Sequence, residues 1–420
     1  MTFDKALRWL YSRRRFGIRL GLETTQFLLA LLGNPEKKLR FLHVAGTNGK
    51  GSVCAFLDSI LRAEGKKTGL FTSPHLMDFR ERIRVNGRPI SKEAAAEGLT
   101  LLRDLANSHT HKLRKLEPTF FELATALATW YFLRKNAEVA IWETGMGGRW
   151  DATNVVTPLV SIVTSISFDH QQWLGNSLVE IACEKSGIFK AGVPAVSAPQ
   201  SIEVAETLRS RAAIYRVPLY FVKAPWSASK IGLRGEHQRW NAAVAVAALE
   251  ASGITISTDS ISNGLANTHW PGRFQILSER LVVDGAHNPG ATRTLVATWK
   301  EVFGNQQACV VFGSLEDKES KRMLEILSTI TREFRFVPVT NHRSSGRYLA
   351  PPHKIIGHFE NLSAALIAPP QPENTIILIT GSLFLVGEIL AQKARKREST
   401  DFVSPGPGGG KQNKLPTLLG

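Results

Sequence analysis

Short runs of uninterrupted apolar residues alternate along this chain with longer segments whose apolar positions recur at helical spacing. Val139-Ala140-Ile141-Trp142 and Ala308-Cys309-Val310-Val311-Phe312 are apolar on both side-chain faces. Strands of that kind are buried on both sides, as in a parallel sheet covered by helices. The pattern predicts strands at 40–44, 68–71, 139–143 and 159–165, with helices at 53–63, 120–133 and 177–189. A second alternation follows Pro271-Gly272, with strands at 281–284, 308–312, 334–339 and 375–380 and helices at 292–303, 320–330 and 382–392. A chain of 420 residues exceeds one comfortable core. The expectation is therefore a larger α/β domain over 1–270, a smaller Rossmann-like α/β domain over 271–394 and a disordered basic, Gly/Pro-rich tail over 395–420.

One junction sharpens this picture. The strand through Val44 runs into Gly46-Thr47-Asn48-Gly49-Lys50-Gly51-Ser52 and then directly into a helix. Glycines permit a tight turn that aims backbone N–H groups inward, the helix start adds partial positive charge, and Lys50 adds a full one that is expected to pack against nothing. This is a phosphate cradle of P-loop type suited to ATP, which makes the larger domain a parallel-sheet ATPase domain. It departs from the standard pattern, because Val44 and Gly51 stand where a glycine and a hydroxyl would be, and the hydroxyl moves to Ser52.

Composition changes the picture little. Hydrophobic content of 43% and charged content of 21% are ordinary for a globular protein, and no apolar run reaches membrane-spanning length. The chain reads as cytoplasmic, monomeric and without a membrane partner. Cys54, Cys183 and Cys309 lie far apart inside apolar runs, so buried thiols are expected rather than disulfides or a zinc site. A net charge of +16 raises the possibility of a nucleic-acid-dependent ATPase. The excess is spread without aromatic-flanked basic clusters, however, and anionic small molecules account for it equally well.

Candidate chemistry sits where the strands end. Glu143 closes the strand 139–143, a suitable place for a magnesium-binding carboxylate. His170, taken alone, reads as a hydrogen-bonding loop residue, Lys185 as a solvated surface lysine and Asn241 as the N-cap of an alanine-rich helix. Arg273 at the hinge could brace two domains, and Asp284 ends the first strand of the second domain.

The chain resembles the folylpolyglutamate synthase and dihydrofolate synthase family, whose more distant kin are the Mur ligases. The resemblance is carried by the phosphate loop, Thr72-Ser73-Pro74-His75-Leu76, the stretch from Glu143 to Asn154, Ser167-Phe168-Asp169-His170, Glu184-Lys185-Ser186-Gly187, Pro271-Gly272-Arg273-Phe274 and Asp284-Gly285-Ala286-His287-Asn288-Pro289. It implies an ATP-dependent ligase joining L-glutamate to dihydropteroate and to folates through an acyl phosphate. It further implies magnesium, in two sites, with Ser73, Glu143 and His170 as ligands, and a carbamylated Lys185. ATP would be bound by Thr47, Asn48, Gly49, Lys50, Gly51, Ser52, Asn241, Arg273 and Asp284, with His287 near the transferred phosphoryl group. Ile18, Arg19 and Leu20, Thr119, Phe120, Phe121 and Glu122, and Trp150, Asp151 and Ala152 correspond to the pterin-binding segments, where flat aromatic faces suit a pterin. Two positions depart from the family: Arg19 stands where bifunctional members carry an acid, and Thr24 replaces an arginine. A folylpolyglutamate synthase lacking the dihydropteroate activity, or another Mur-type amino-acid ligase, is the alternative.

Overall fold

The computed structural model describes residues 1–13, 21–108, 117–339, 344, 348, 354–370, 372 and 374–401, with side chains as far as 395. The candidates Ile18, Arg19 and Leu20 lie outside the described residues, as does the segment 402–420.

The first sheet contains β1 (Phe41–Ala45), β2 (Thr68–Phe71), β3 (Ile83–Val85), β4 (Arg88–Pro89), β5 (Val139–Glu143), β6 (Val160–Val163), β7 (Ala195–Ser197) and β8 (Leu219–Phe221), in the order β4-β3-β2-β5-β1-β6-β7-β8. It is parallel from β2 to β8, and β3 and β4 form an antiparallel hairpin on its edge. The pattern of apolar runs did not predict that hairpin. Its strands are short and mixed in polarity, although Asn86-Gly87, both at positive φ, is a tight-turn signal visible in the sequence.

Alternation along single strands explains why both faces are covered. Ala140 and Trp142 point into one cluster, with Phe41, Phe71, Phe132 and Leu127, beneath the helices Phe3–Ser12, Lys92–Ser108 and Phe120–Arg134. Val139 and Ile141 point the other way, to Val53, Phe56, Ile60 and Leu249 on the helices Lys50–Ala63 and Glu236–Ala251.

The second sheet contains β9 (Gln275–Ser278), β10 (Leu281–Val283), β11 (Ala308–Phe312), β12 (Thr331–Phe336), β13 (Ile355–His358) and β14 (Ile376–Thr380), in the order β13-β12-β11-β14-β10-β9. It is parallel apart from β9, which pairs antiparallel with β10. The expected α/β architecture with a second Rossmann-like sheet is what the chain adopts. Three local readings need correction. The helix after the phosphate loop begins at Lys50 rather than at 53, because its first turn is built from the glycine-rich loop itself. The helix containing Asn241 begins at Glu236 behind Gly235, so Asn241 lies inside it and is not its cap. The final helix continues to Asp401, so a tail boundary at 395 falls within a helix.

Cys54, Cys183 and Cys309 are free; Cys54 and Cys309 are buried as expected, whereas Cys183 is half-buried. Among the described residues no helix is long and apolar enough to cross a membrane.

The helix Lys50–Ala63 owes its position to close backbone contact. Gly264, on the crossing helix Thr258–Ala266, has no room for a side chain: a Cβ there would stand 2.4 Å from the Ile60 Cα. Ser59 also donates its hydroxyl to the Gly264 carbonyl at 2.7 Å. Gly264→Ala should push the helices apart and destabilise the protein by about 1–3 kcal/mol, read by chemical denaturation. A variant as stable as the parent would show that the crossing relaxes freely.

Candidate active site

The carboxyl ends of β1, β5 and β6 open onto one cleft of about 1460 Å³ between the two sheets. Ligands of open α/β sheets sit at such ends. Every candidate among the described residues lines it, from Thr47 to Ser52, through Ser73, Thr119–Glu122, Glu143, Trp150–Ala152, His170, Lys185 and Asn241, to Arg273, Asp284 and His287.

The phosphate loop leaves β1 and is pinned from β6. The N–H groups of Thr47 and Asn48 both donate to the Ser165 carbonyl, at 2.9 and 3.1 Å, so they do not point at a ligand as the sequence suggested. The first backbone bond of the following helix runs from Val53 N–H to the Gly49 carbonyl at 2.9 Å. The N–H groups of Lys50, Gly51 and Ser52 therefore have no acceptor within the helix and remain for an anion. Gly49 holds φ at 93°, and a Cβ on it would stand 2.6 Å from the Asn241 Oδ1. Asn241 thus packs on the loop while its amide donates to Gln238 at 3.0 Å. Lys50 is not free of the protein as expected: it curls back to the carbonyls of Gly46, at 3.1 Å, and Thr47, at 3.3 Å.

Lys185 is buried, not the surface lysine its composition suggested, with 4% of its area exposed. It ends the helix Leu178–Lys185 and donates to the Gly46 carbonyl at 2.8 Å. Burial, and then the Lys50 charge, bring its pKa down to about 7.

Glu143 is 3% exposed and accepts the Ser73 N–H through Oε2 at 2.8 Å. Burial raises its pKa, against the opposing charge of Lys50. Its Oε1 accepts no hydrogen bond in the described structure, which suits a hard cation completing its shell with phosphate oxygens and water. Among the described residues no group of three His, Cys, Asp or Glu side chains is arranged to hold a metal, so a cation here would rest on Glu143, the Ser73 hydroxyl and the nucleotide. His170 adopts a left-handed backbone with φ 51°, and its pKa falls to about 4, chiefly through burial, which leaves a neutral ring with a lone pair to offer.

The second sheet forms the facing wall. Asp284 accepts N–H bonds from Phe274 and Ala286, each at 2.8 Å, and burial raises its pKa despite the nearby Arg273 charge. Arg273 donates to the Gly272 carbonyl at 3.3 Å, and His287 is held through Nδ1 by the Gly285 carbonyl at 2.8 Å.

Sequence reasoning assigned no role to the group that joins the two walls. Asp169, in the loop after β6, is paired with Lys318 at 2.6 Å, accepts from the Asn288 amide at 3.3 Å, and lies 3.7 Å from His287 Nε2. Burial alone would raise its pKa, but these partners hold it well below the usual carboxylate range. Asn288 and Asn48 also exchange amide hydrogen bonds at 3.0 and 3.3 Å, so the second domain rests on the phosphate loop. The signal for Lys318 was available, because it follows the end of β11, where loops of an α/β sheet gather function.

At the other end of the cleft Trp150 is 44% exposed while Phe120 and Phe121 flank the helix start. Arg82, buried beside them, lies over the Phe120 ring at 5.2 Å. Two acids expected to bind are committed locally. Glu122 accepts the Thr119 N–H at 2.7 Å in a capping box. Asp151 accepts from Met146 N–H at 2.8 Å and from Thr153 N–H at 3.0 Å. Each sits one turn from the backbone donors it satisfies, a role that residue type alone could not separate from ligand binding.

Comparison with known proteins follows this geometry. The sequence models of the Mur ligase middle domain and of the Mur ligase glutamate ligase domain match residues 44–198 and 272–383. The dihydrofolate synthase/folylpolyglutamate synthase of Bacillus subtilis is 36% identical over 92% of this chain and 98% of its own length. That of Escherichia coli is 33% identical over 91% and 94%. The Mycobacterium tuberculosis folylpolyglutamate synthase complexed with ADP superposes with a TM-score of 0.85 at 28% identity, over 93% of this chain and 98% of that one. Escherichia coli FolC in complex with DHPP and ADP gives 0.82 at 30% identity, over the same shares.

The Asp169–Lys318 pair has a testable consequence for domain closure. Lys318 is 7% exposed, and Asp169→Asn leaves it only Asp317, 3.8 Å away. Removing one partner of a buried pair costs roughly 3–5 kcal/mol. Thermal unfolding of Asp169→Asn should therefore begin at a clearly lower temperature, whereas an unchanged midpoint would mean that other contacts hold the domains.

Proposed function

Because the chain belongs to the dihydrofolate synthase/folylpolyglutamate synthase family of Mur ligases, we propose that it is an ATP-dependent ligase adding L-glutamate to dihydropteroate and to glutamylated folates. The observation that carries this reading is the single cleft that places the phosphate loop and Lys50 between an aromatic acceptor end and the Asp284–His287 wall of the second domain. We place the ATP-binding domain at 1–270 and the ligase domain from 271 through the final helix, and we assign the protein to the cytoplasm as a monomer acting on small molecules.

The acceptor carboxylate attacks the γ-phosphorus of ATP, giving an acyl phosphate and ADP. The glutamate amine then attacks that carbonyl, releasing phosphate and a proton. The N–H groups of Lys50, Gly51 and Ser52, with the Lys50 ammonium, stabilise the charge spread over the transferred group. Arg273 faces the same oxygens from the second domain, Asn241 packs the loop beneath them, and Asp284 receives the ribose hydroxyls. His287 sits where the phosphoryl group and the incoming amine meet. Magnesium held by Glu143, Ser73 and His170 would neutralise phosphate charge when bound. Trp150 and Phe121 offer faces for a pterin ring, with Phe120, its own ring stacked on Tyr11, lining the same end and the segment of Ile18, Arg19 and Leu20 assigned to it. Closing the second domain over the cleft excludes the water that would hydrolyse the acyl phosphate.

Lys185 completes this corner. With its pKa near 7, a large fraction of its amine is unprotonated at neutral pH. The free amine would add carbon dioxide and lose one proton, and the resulting carbamate would offer two oxygens to a second magnesium ion. Lys185→Ala should then lose most activity, and acetate or formate should restore part of it by supplying carboxylate oxygens in the vacated space. The rate of the variant is followed against carboxylate concentration at fixed ionic strength. A flat or falling curve would leave Lys185 as a cation.

The functional reading is tested by ADP release with dihydropteroate, tetrahydrofolate and a muramoyl substrate in parallel, each with and without L-glutamate. Glutamate-dependent turnover on both pteridines is expected. Turnover on tetrahydrofolate alone would favour the monofunctional synthase, for which the departure at Arg19 speaks, and turnover on the muramoyl substrate alone would overturn the assignment.

A further inference from the structure

His43 is a fully buried imidazole in β1, three residues before the phosphate loop and in register with Trp142 of β5. Its Nε2 lies 2.9 Å from the Thr153 hydroxyl oxygen, and its Nδ1 has no partner. The Thr153 hydroxyl is 2.5 Å from Asp151 Oδ1. That carboxyl also accepts the Thr153 and Met146 N–H groups, which favour its ionised, acceptor-only form against the burial that raises its pKa, and the Thr153 proton points to it. Only lone pairs of Thr153 Oγ1 then face His43, which fixes the ring as the neutral Nε2–H tautomer. Burial, with the Lys190 charge, pushes its pKa down to about 3 and keeps it neutral. The Trp142 indole N–H donates to the Thr153 carbonyl at 3.0 Å, anchoring the same residue from the neighbouring strand.

A side chain needed only to fill this space would be aliphatic, because the imidazole carries an unpaired buried nitrogen whose desolvation nothing offsets. The one bond it makes is therefore what distinguishes it. That bond begins a chain from the sheet core through His43, Thr153 and Asp151 to the backbone of Met146, and Trp150 stands one residue before Asp151 in the loop so held.

We infer that His43 and Thr153 are positioning residues for the acceptor end: they fix the loop 145–154 from the sheet core and so set the place of Trp150 against the acceptor ring. This rests on the reading of that end as the pterin site. Neither residue touches substrate, and both act through Asp151.

Steady-state kinetics of the full-length enzyme and 15N NMR of its histidine rings test this together. Thr153→Val, which removes the hydroxyl's bonds to both His43 and Asp151, should raise the KM for dihydropteroate at least about tenfold, with the KM for ATP nearly unchanged. Thr153→Ser should restore the parent value. His43→Phe, which removes only the His43–Thr153 link, should raise the same KM by less, and the double variant should be no worse than Thr153→Val alone, because that variant already cuts the chain at both of its hydroxyl bonds. The His43 signal, identified by its loss in His43→Phe or, if that variant fails to fold, by its shift in Thr153→Val, should report a neutral ring protonated at Nε2. A ring protonated at Nδ1, an unaltered acceptor KM in Thr153→Val, or an equal rise in the KM for ATP would overturn the inference. A wild-type enzyme that ignores pteridine acceptors would defeat the functional reading instead, and the ring tautomer would still decide whether the chain exists.

Discussion

Two lysine amines converge on one backbone carbonyl. Lys50 and Lys185 both donate to Gly46, at 3.1 and 2.8 Å, at the end of a central strand and away from bulk water. Like charges so placed destabilise each other unless one is discharged or anions join them. Burial, with the Lys50 charge beside it, lowers the Lys185 pKa, while Lys50 keeps a neighbour in Glu143. The corner is therefore incomplete without negative charge. A nucleotide triphosphate, and a carbamate on Lys185 itself, are the two groups the proposed chemistry would bring, and each would relieve the repulsion that the other leaves.

The same electrostatic logic joins the domains. Asp169 is a single acid facing Lys318, His287 and Asn288 of the second domain. One carboxylate thus gathers these groups directly beside the phosphate loop, and the amide exchange between Asn48 and Asn288 carries the contact onto that loop. Binding at the loop and closure of the second domain share these residues, so a change in one bears on the other.

The sequence made the framework legible because strand burial and loop composition are local properties. Val139–Glu143 and Ala308–Phe312 read as strands from their apolar runs, and the glycine-rich loop announced itself by the placement of Lys50. The hairpin of β3 and β4 escaped because three residues of mixed polarity carry no periodicity. Lys185 was misread for a different reason: its burial depends on the carbonyl of Gly46, 139 residues away, which no window of sequence contains. Asp169 lay inside a recognised motif, yet its partners come from beyond residue 280, so its role became visible only when the two sheets faced each other.

Asp151 and Glu122 show the opposite error, and it is instructive about the acceptor end. Both acids sit in segments matched to pterin binding; Asp151 gives both oxygens, and Glu122 its Oε2, to backbone N–H groups a few residues away. A buried carboxylate surrounded by donors rigidifies the loop or helix start that holds it, and the faces thereby fixed are aromatic: Trp150 beside Asp151, Phe120 and Phe121 beside Glu122. Under the proposed function, recognition of a flat ring at this end would depend less on charge than on how firmly those faces are set. The acids contribute by removing the freedom of the backbone that carries them, which makes their influence on an acceptor indirect and geometric.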